Sequence, residues 1–184
     1  VYWFPNDLPC FGSDTPLSEP PAELYRNRAA SGTAEVMCYH PDHGRLLADL
    51  APEEVEAVVR GWRERTRVLS ARDDVKHILI FENKGDVVGT SNPHPHCQIY
   101  AGNLIYGITE AEERESRRYF EETGGYLGVN VAEIEAAGPR VVACNDRFLA
   151  CVPWFARYAY EVVILPRFRA SSFLDIGEAD VPPL

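Results

Sequence analysis

The chain has no apolar run approaching the roughly 20 residues that a helix needs to cross a bilayer. Its first residues, Val1-Tyr2-Trp3-Phe4-Pro5, lack the charged segment that opens a secretory signal. Basic residues are also in short supply: 18 Lys and Arg stand against 28 Asp and Glu, for a formal net charge of −10. That balance argues against a general nucleic-acid surface, which needs clustered cations, but leaves room for a small phosphorylated ligand held by a few local donors. No C-x-x-C pair occurs among the five cysteines, Cys10, Cys38, Cys97, Cys144 and Cys151. An odd, widely spaced set reads mostly as small buried residues in a reducing compartment. With 46% apolar residues over 184 positions, the plain reading is a cytoplasmic globular protein with no membrane segment. That length allows one sizeable core, or one full domain and part of another.

What is present alternates between strand and helix patterns. The chain opens on strand-like residues and runs into a loop over 9–23 that holds four prolines. Val36-Met37-Cys38-Tyr39 reads as a short strand. Pro52 to about Ala71 reads as a helix: Pro52 suits its first turn, Glu53 and Glu54 suit its N-terminus, and Val55, Val58, Val59, Trp62 and Leu69 form an apolar stripe. Its other face, with Arg60, Arg63, Arg65 and Arg67 diluted by Glu56 and Glu64, reads as solvated. Lys76 to Phe81 and Cys97 to Ala101 are strand candidates, and Thr109 to Glu122 a second helix with Thr109 and Glu112 at capping-box spacing. From Arg140 the pattern turns to strands: Arg140 to Cys144, Phe148 to Pro153 and Ala159 to Pro166.

The chemistry is concentrated in Ser91-Asn92-Pro93-His94-Pro95-His96-Cys97-Gln98. Pro93 and Pro95 hold the backbone extended, and each disfavours helix for the residue before it. Polar side chains at every second position, His94, His96 and Gln98, therefore share one side of a stiff strand. A neutral imidazole is nucleophilic and departs readily from phosphorus, which makes His96 a candidate covalent catalyst. Gln98 can donate a hydrogen bond to a phosphate oxygen. His40 and His77 read as structural.

The stretch Phe81-Glu82-Asn83-Lys84-Gly85, followed by Gly89-Thr90 and the His-Pro-His-x-Gln segment, closely resembles the active-site signature of the galactose-1-phosphate uridylyltransferase family, within the histidine-triad superfamily. Phe4-Pro5-Asn6-Asp7, Val36 to His43 and Val152-Pro153-Trp154 to Leu165-Pro166 match in order. The resemblance covers nearly the whole chain but only the middle of a family member. It implies transfer of uridine monophosphate between UDP-glucose or UDP-galactose and galactose 1-phosphate or glucose 1-phosphate, through a uridylyl group on His96. Gln98 stands where superfamily hydrolases carry histidine. The resemblance further implies that Asn83, Gly89, Thr90 and Ser91 hold the phosphates and that Phe4, Asn6 and Asp7 meet the uridine. Leu8 replaces a common Phe there, and Phe81 is expected to supply some of that contact. Asn6 and Asp7 also suit a simple turn.

For metals, the resemblance implies zinc held by His43 and His94 with a cysteine pair expected before Val1, and an iron-type site to which Glu115, chosen over Glu112, contributes one ligand. It implies a homodimer for the whole enzyme. Elements and resemblance together give an α+β fold: a histidine-triad-like antiparallel sheet flanked by helices over residues 1–139, then the first strands of a second, similar domain over 140–184. Two other functions remain open at this stage: a related nucleotidyltransferase or phosphorylase acting on an ADP-sugar, and a non-catalytic fragment that only binds nucleotide. Turnover by these 184 residues alone is expected to be small.

Overall fold

A computed structural model describes the chain except residues 11, 13–15, 21, 91, 183 and 184 and the side chain of Asp86. Its contacts divide it into two compact units, Val1–Tyr106 and Gly107–Leu184. No helix among the described residues is long and apolar enough to cross a membrane.

The first unit contains β1 (Tyr2–Pro5), β2 (Gly32–Cys38), α1 (Pro52–Ser70), β3 (His77–Phe81) and β4 (His96–Gly102). The strands form one sheet in the order β1-β2-β4-β3, and every neighbouring pair is antiparallel. The helix begins where the sequence indicates: Pro52 opens it, and the Ala51 N–H donates to Glu54 Oε2 at 2.7 Å, closing its exposed N-terminal end. Val58, Val59 and Leu69 are buried, with Val55 and Trp62 packed beside them. Gly61 allows close approach to the sheet, since a Cβ there would come within 3.2 Å of Met37 Sδ. Alternation along β4 then does the positioning. Cys97, Ile99 and Ala101 are buried in the core shared with Met37, Val58 and Leu69, so His96, Gln98 and Tyr100 take the opposite face.

Arg65 departs from the solvated-face reading. It turns inward, with Nε and Nη2 donating to Glu35 at 2.8 and 2.7 Å. The side chains are only 12% and 11% exposed, and the guanidinium lies over the Trp3 ring. The period of α1 places Arg65 on the sheet side, and a buried carboxylate on β2 makes that position tolerable. The cysteines divide as well. Cys97 and Cys151 are buried and Cys38 half-buried, whereas Cys10 and Cys144 are exposed, and all five are free thiols.

The second unit contains α2 (Gly107–Thr123), α3 (Leu127–Ala136) and β5 (Val141–Cys144), β6 (Phe148–Cys151) and β7 (Val163–Pro166), an antiparallel sheet in the order β5-β6-β7. The compact unit thus begins at Gly107, while the sequence reading divides the chain at 139/140. The physical reason is α3: its Ala132 packs on Leu149 and Cys151, with Val163 and Leu165 alongside, so this helix belongs with the strands that follow it. No helix was expected over 127–136, because Gly128, Val129, Asn130 and Val131 are poor helix formers; tertiary packing overrides them. In addition, α2 starts at Gly107, so Thr109 lies inside its first turn and is not the cap.

Candidate active site

His96 opens β4, and the segment before it is fastened at several points. The His94 N–H donates to Asn92 Oδ1 at 2.9 Å, and the Tyr39 N–H donates to the Pro95 carbonyl at 3.2 Å. Pro95 itself is buried. The His96 ring then turns back on this segment, with Nδ1 2.7 Å from the carbonyl oxygen of His94. A carbonyl only accepts, so Nδ1 carries the hydrogen and Nε2 of the neutral ring carries the lone pair. The backbone thereby selects the tautomer and makes Nε2 the nucleophilic atom.

Residues directly opposite in antiparallel strands share a face, and two rows cross the sheet beside His96. One row runs Tyr2, Cys38, His96. The next runs Phe4, Val36, Gln98, Phe81. Phe4 and Phe81 thus flank Gln98 from the two edge strands, all on the face away from α1. The Tyr100 hydroxyl donates to Gln98 Oε1 at 3.1 Å, so the carboxamide presents its NH2 as a donor.

A cavity of about 490 Å³ opens at the N-terminal end of β4. Asn83, Thr90, His94 and His96 line it, together with Glu82 and Lys84. Gly89 lies in the loop that forms this wall and has φ +74°, the left-handed region that side chains with a Cβ adopt only under strain. Thr90 Oγ1 donates to the Asn83 carbonyl at 2.6 Å. Its hydrogen is therefore committed to pinning the loop, and towards phosphate the oxygen can act only as an acceptor. Ser91 lies outside the described residues.

At the other margin of the face, Asn6 Oδ1 accepts from the Leu8 N–H at 3.0 Å, forming the turn that the residue types permit. The Asn6 N–H donates to the Ala34 carbonyl at 2.9 Å. Asp7 and Leu8 are exposed. Of the residues expected to bind substrate, Phe4 and Phe81 join Gln98 in one row, Asn83 and Thr90 join His96 at the cavity, and Asn6 and Asp7 stand just past the end of β1.

Three features escape the sequence reading. Lys84 brings an ammonium group to the cavity. Tyr39 reaches from the core to donate to Glu82 Oε2 at 3.1 Å. Burial, with Cys97 and Glu82 nearby, pushes its phenol far up, so it remains a donor. Tyr100 holds Gln98. Its place two residues beyond Gln98 on an alternating strand was the available signal; nothing in the sequence pairs Tyr39 with Glu82.

The expected metal residues fit unequally. His43 and His94 meet through their Nδ1 atoms at 2.8 Å, with ring centroids 4.8 Å apart. They offer two of the four donors that a closed zinc site takes. Among the described residues, no group of three or more His, Cys, Asp or Glu side chains is arranged so that it could hold a metal ion. Glu115, in the second unit, pairs with Arg114 at 3.2 Å and Arg118 at 2.7 Å on the surface of α2.

Residues 2–105 match the family described as galactose-1-phosphate uridyl transferase, N-terminal domain. The chain is 33% identical over 179 residues to galactose-1-phosphate uridylyltransferase of Haemophilus influenzae, covering 96% of this chain and 51% of that protein. It is 35% identical over 178 residues to the Thermotoga maritima protein of the same name, covering 96% and 56%. A solved structure described as a uridylyltransferase superposes with a TM-score of 0.89 at 28% identity, covering 99% of this chain and 57% of that one. The chain therefore spans about half the length of the curated relatives it matches. On the strength of the matched domain and the superposed fold, the chain belongs to the galactose-1-phosphate uridylyltransferase family.

Proposed function

We propose that this chain carries the nucleophile of a hexose-1-phosphate uridylyltransferase that exchanges uridine monophosphate between UDP-hexoses and galactose 1-phosphate or glucose 1-phosphate. The observation that carries the reading is the His96 tautomer, with Nδ1–H held by the His94 carbonyl and Nε2 left to attack. The Nε2 lone pair attacks the α-phosphorus of UDP-glucose and forms a P–N bond. The bond from that phosphorus to the bridging oxygen breaks, its electron pair stays with the oxygen, and glucose 1-phosphate departs. The ring becomes a uridylyl-imidazolium, whose positive charge the His94 carbonyl stabilises through Nδ1–H. A phosphate oxygen of galactose 1-phosphate then attacks the same phosphorus and His96 leaves. Gln98 donates to a non-bridging oxygen throughout, and Lys84 and Asn83 offer further donors at the cavity.

The aromatic row of Phe4 and Phe81 supports placing the uridine beside Gln98, with Asn6 and Asp7 at its margin. Zinc would take His43 and His94 as two of its ligands and brace the segment beneath His96; no step of the transfer passes through it. A cytoplasmic enzyme that works as a homodimer is part of the same reading.

The experiment compares labelled UDP-glucose with labelled ADP-glucose and traps the protein adduct under denaturing conditions. An adduct from UDP-glucose, absent in His96→Ala, is the expected result. An adduct from ADP-glucose alone would overturn the uridylyl assignment.

A further inference from the structure

A glutamine beside a transferring phosphoryl group has two ends, and only one of them helps. The NH2 stabilises the anionic oxygens, whereas the carbonyl oxygen repels them. Something must therefore fix which end faces the phosphate. Two residues along β4 from Gln98, and on the same face, stands Tyr100, whose hydroxyl donates to Gln98 Oε1 at 3.1 Å. Its ring is itself held, edge-on to Phe81 with centroids 4.9 Å apart and an interplanar angle of 83°. Below it, Tyr100 shares a cavity of about 280 Å³ with Cys10, His77 and Tyr106. Burial pushes the phenol up, so the hydroxyl keeps its hydrogen across neutral pH.

We propose that Tyr100 is a positioning residue for uridylyl transfer: its hydroxyl occupies the oxygen of the Gln98 carboxamide and thereby aims the NH2 at the phosphate on His96. The proposal rests on the uridylyl-transfer reading. It gives Tyr100 no contact with substrate; the residue acts through Gln98 alone. Replacing the hydroxyl frees the carboxamide to turn over and present its oxygen for part of the time.

The test is single-turnover formation of the uridylyl adduct from UDP-glucose, followed by intact mass after acid-free quenching. Tyr100→Phe keeps the ring against Phe81 and should slow adduct formation about 5-fold, the worth of one neutral hydrogen bond. In a Gln98→Ala background the same substitution should change nothing, because the group it positions is gone. An unchanged rate, or an equal slowing in both backgrounds, would overturn the proposal; the latter marks a merely structural role. A second readout needs neither nucleotide nor turnover. The side-chain amide signals of Gln98, identified by their loss in Gln98→Ala, should shift in the NMR spectrum of Tyr100→Phe. Should that variant fail to fold, incorporation of 3-fluorotyrosine retains both ring and hydroxyl and should shift the same signals. Static signals would refute the coupling. If the unsubstituted protein forms no adduct, the transfer reading fails, while the amide signals still decide whether Tyr100 holds Gln98.

Discussion

Replacing Tyr39 with Phe removes one oxygen from the core and probes how the cavity wall is held. Tyr39 is 3% exposed, its ring meets Trp62 edge-on at 6.2 Å, and its hydroxyl donates to Glu82 Oε2 at 3.1 Å. Phenylalanine preserves the ring contact and deletes only the donor. A hydrogen bond to a charged group contributes about 1.5–3 kcal/mol, and here the deletion also leaves the half-buried Glu82 carboxylate without that partner. For a unit near 100 residues this corresponds to a fall in Tm on the order of 10 °C. Thermal unfolding by circular dichroism measures the loss. Amide hydrogen exchange locates it, with faster exchange expected across residues 82–90, which hang from Glu82 on one side and from the Thr90 bond to the Asn83 carbonyl on the other. Adduct formation should slow as well, since Asn83 and Lys84 lose their anchor. An unchanged midpoint together with unchanged exchange in 82–90 would refute the claim that this bond supports the wall.

Arg65→Ala leaves Glu35, itself 8% exposed, as an unpaired buried carboxylate and should cost about 3–5 kcal/mol in urea unfolding; a loss below 1 kcal/mol, the ceiling for a typical surface pair, would contradict the burial. Glu135 accepts from the Trp154 N–H at 2.9 Å and pairs with Arg140 at 2.6 Å, and these, the Trp154 bond first, hold its carboxyl below the ordinary 4.5. The stabilisation is therefore complete above pH 4.5 and is lost as pH falls through the lowered value. Glu135→Gln should flatten the acid limb of the second unit's stability profile; an unaltered limb would speak against the pair.

The two sources of information in the sequence had different reach. Local signals located α1 and, in outline, all seven strands, because Pro52, Glu53 and Glu54 mark a helix start and because short apolar runs such as Ile78 to Phe81 in β3 and Ile99-Tyr100 in β4 carry β-branched and aromatic residues. They could not find α3, whose Gly and Val residues hold a helix only through Ala132 and the strands beneath it. The same dependence on packing moved the boundary to Gly107. At the site, alternation already indicated that His96 and Gln98 share a side, whereas His94 sits in a bend before the strand, its N–H tied back to Asn92. What the sequence could not supply was partnership across distance: the His94 carbonyl selecting Nδ1–H on His96, the Tyr39 hydroxyl reaching Glu82, and Thr90 spending its hydrogen on Asn83. Arg65 illustrates the same limit, since arginines at 60, 63, 65 and 67 look alike until the sheet is placed against one of them.

The central claim is that His96 attacks through Nε2 because the backbone holds Nδ1–H. The most direct measurement is to label histidine with 15N, form the adduct with UDP-glucose, unfold the protein at alkaline pH and find which ring nitrogen carries phosphorus by long-range 1H–15N and 31P NMR. A single uridylyl group on Nε2 of His96 is expected. A P–N bond to Nδ1, or uridylylation of any other residue, would contradict it.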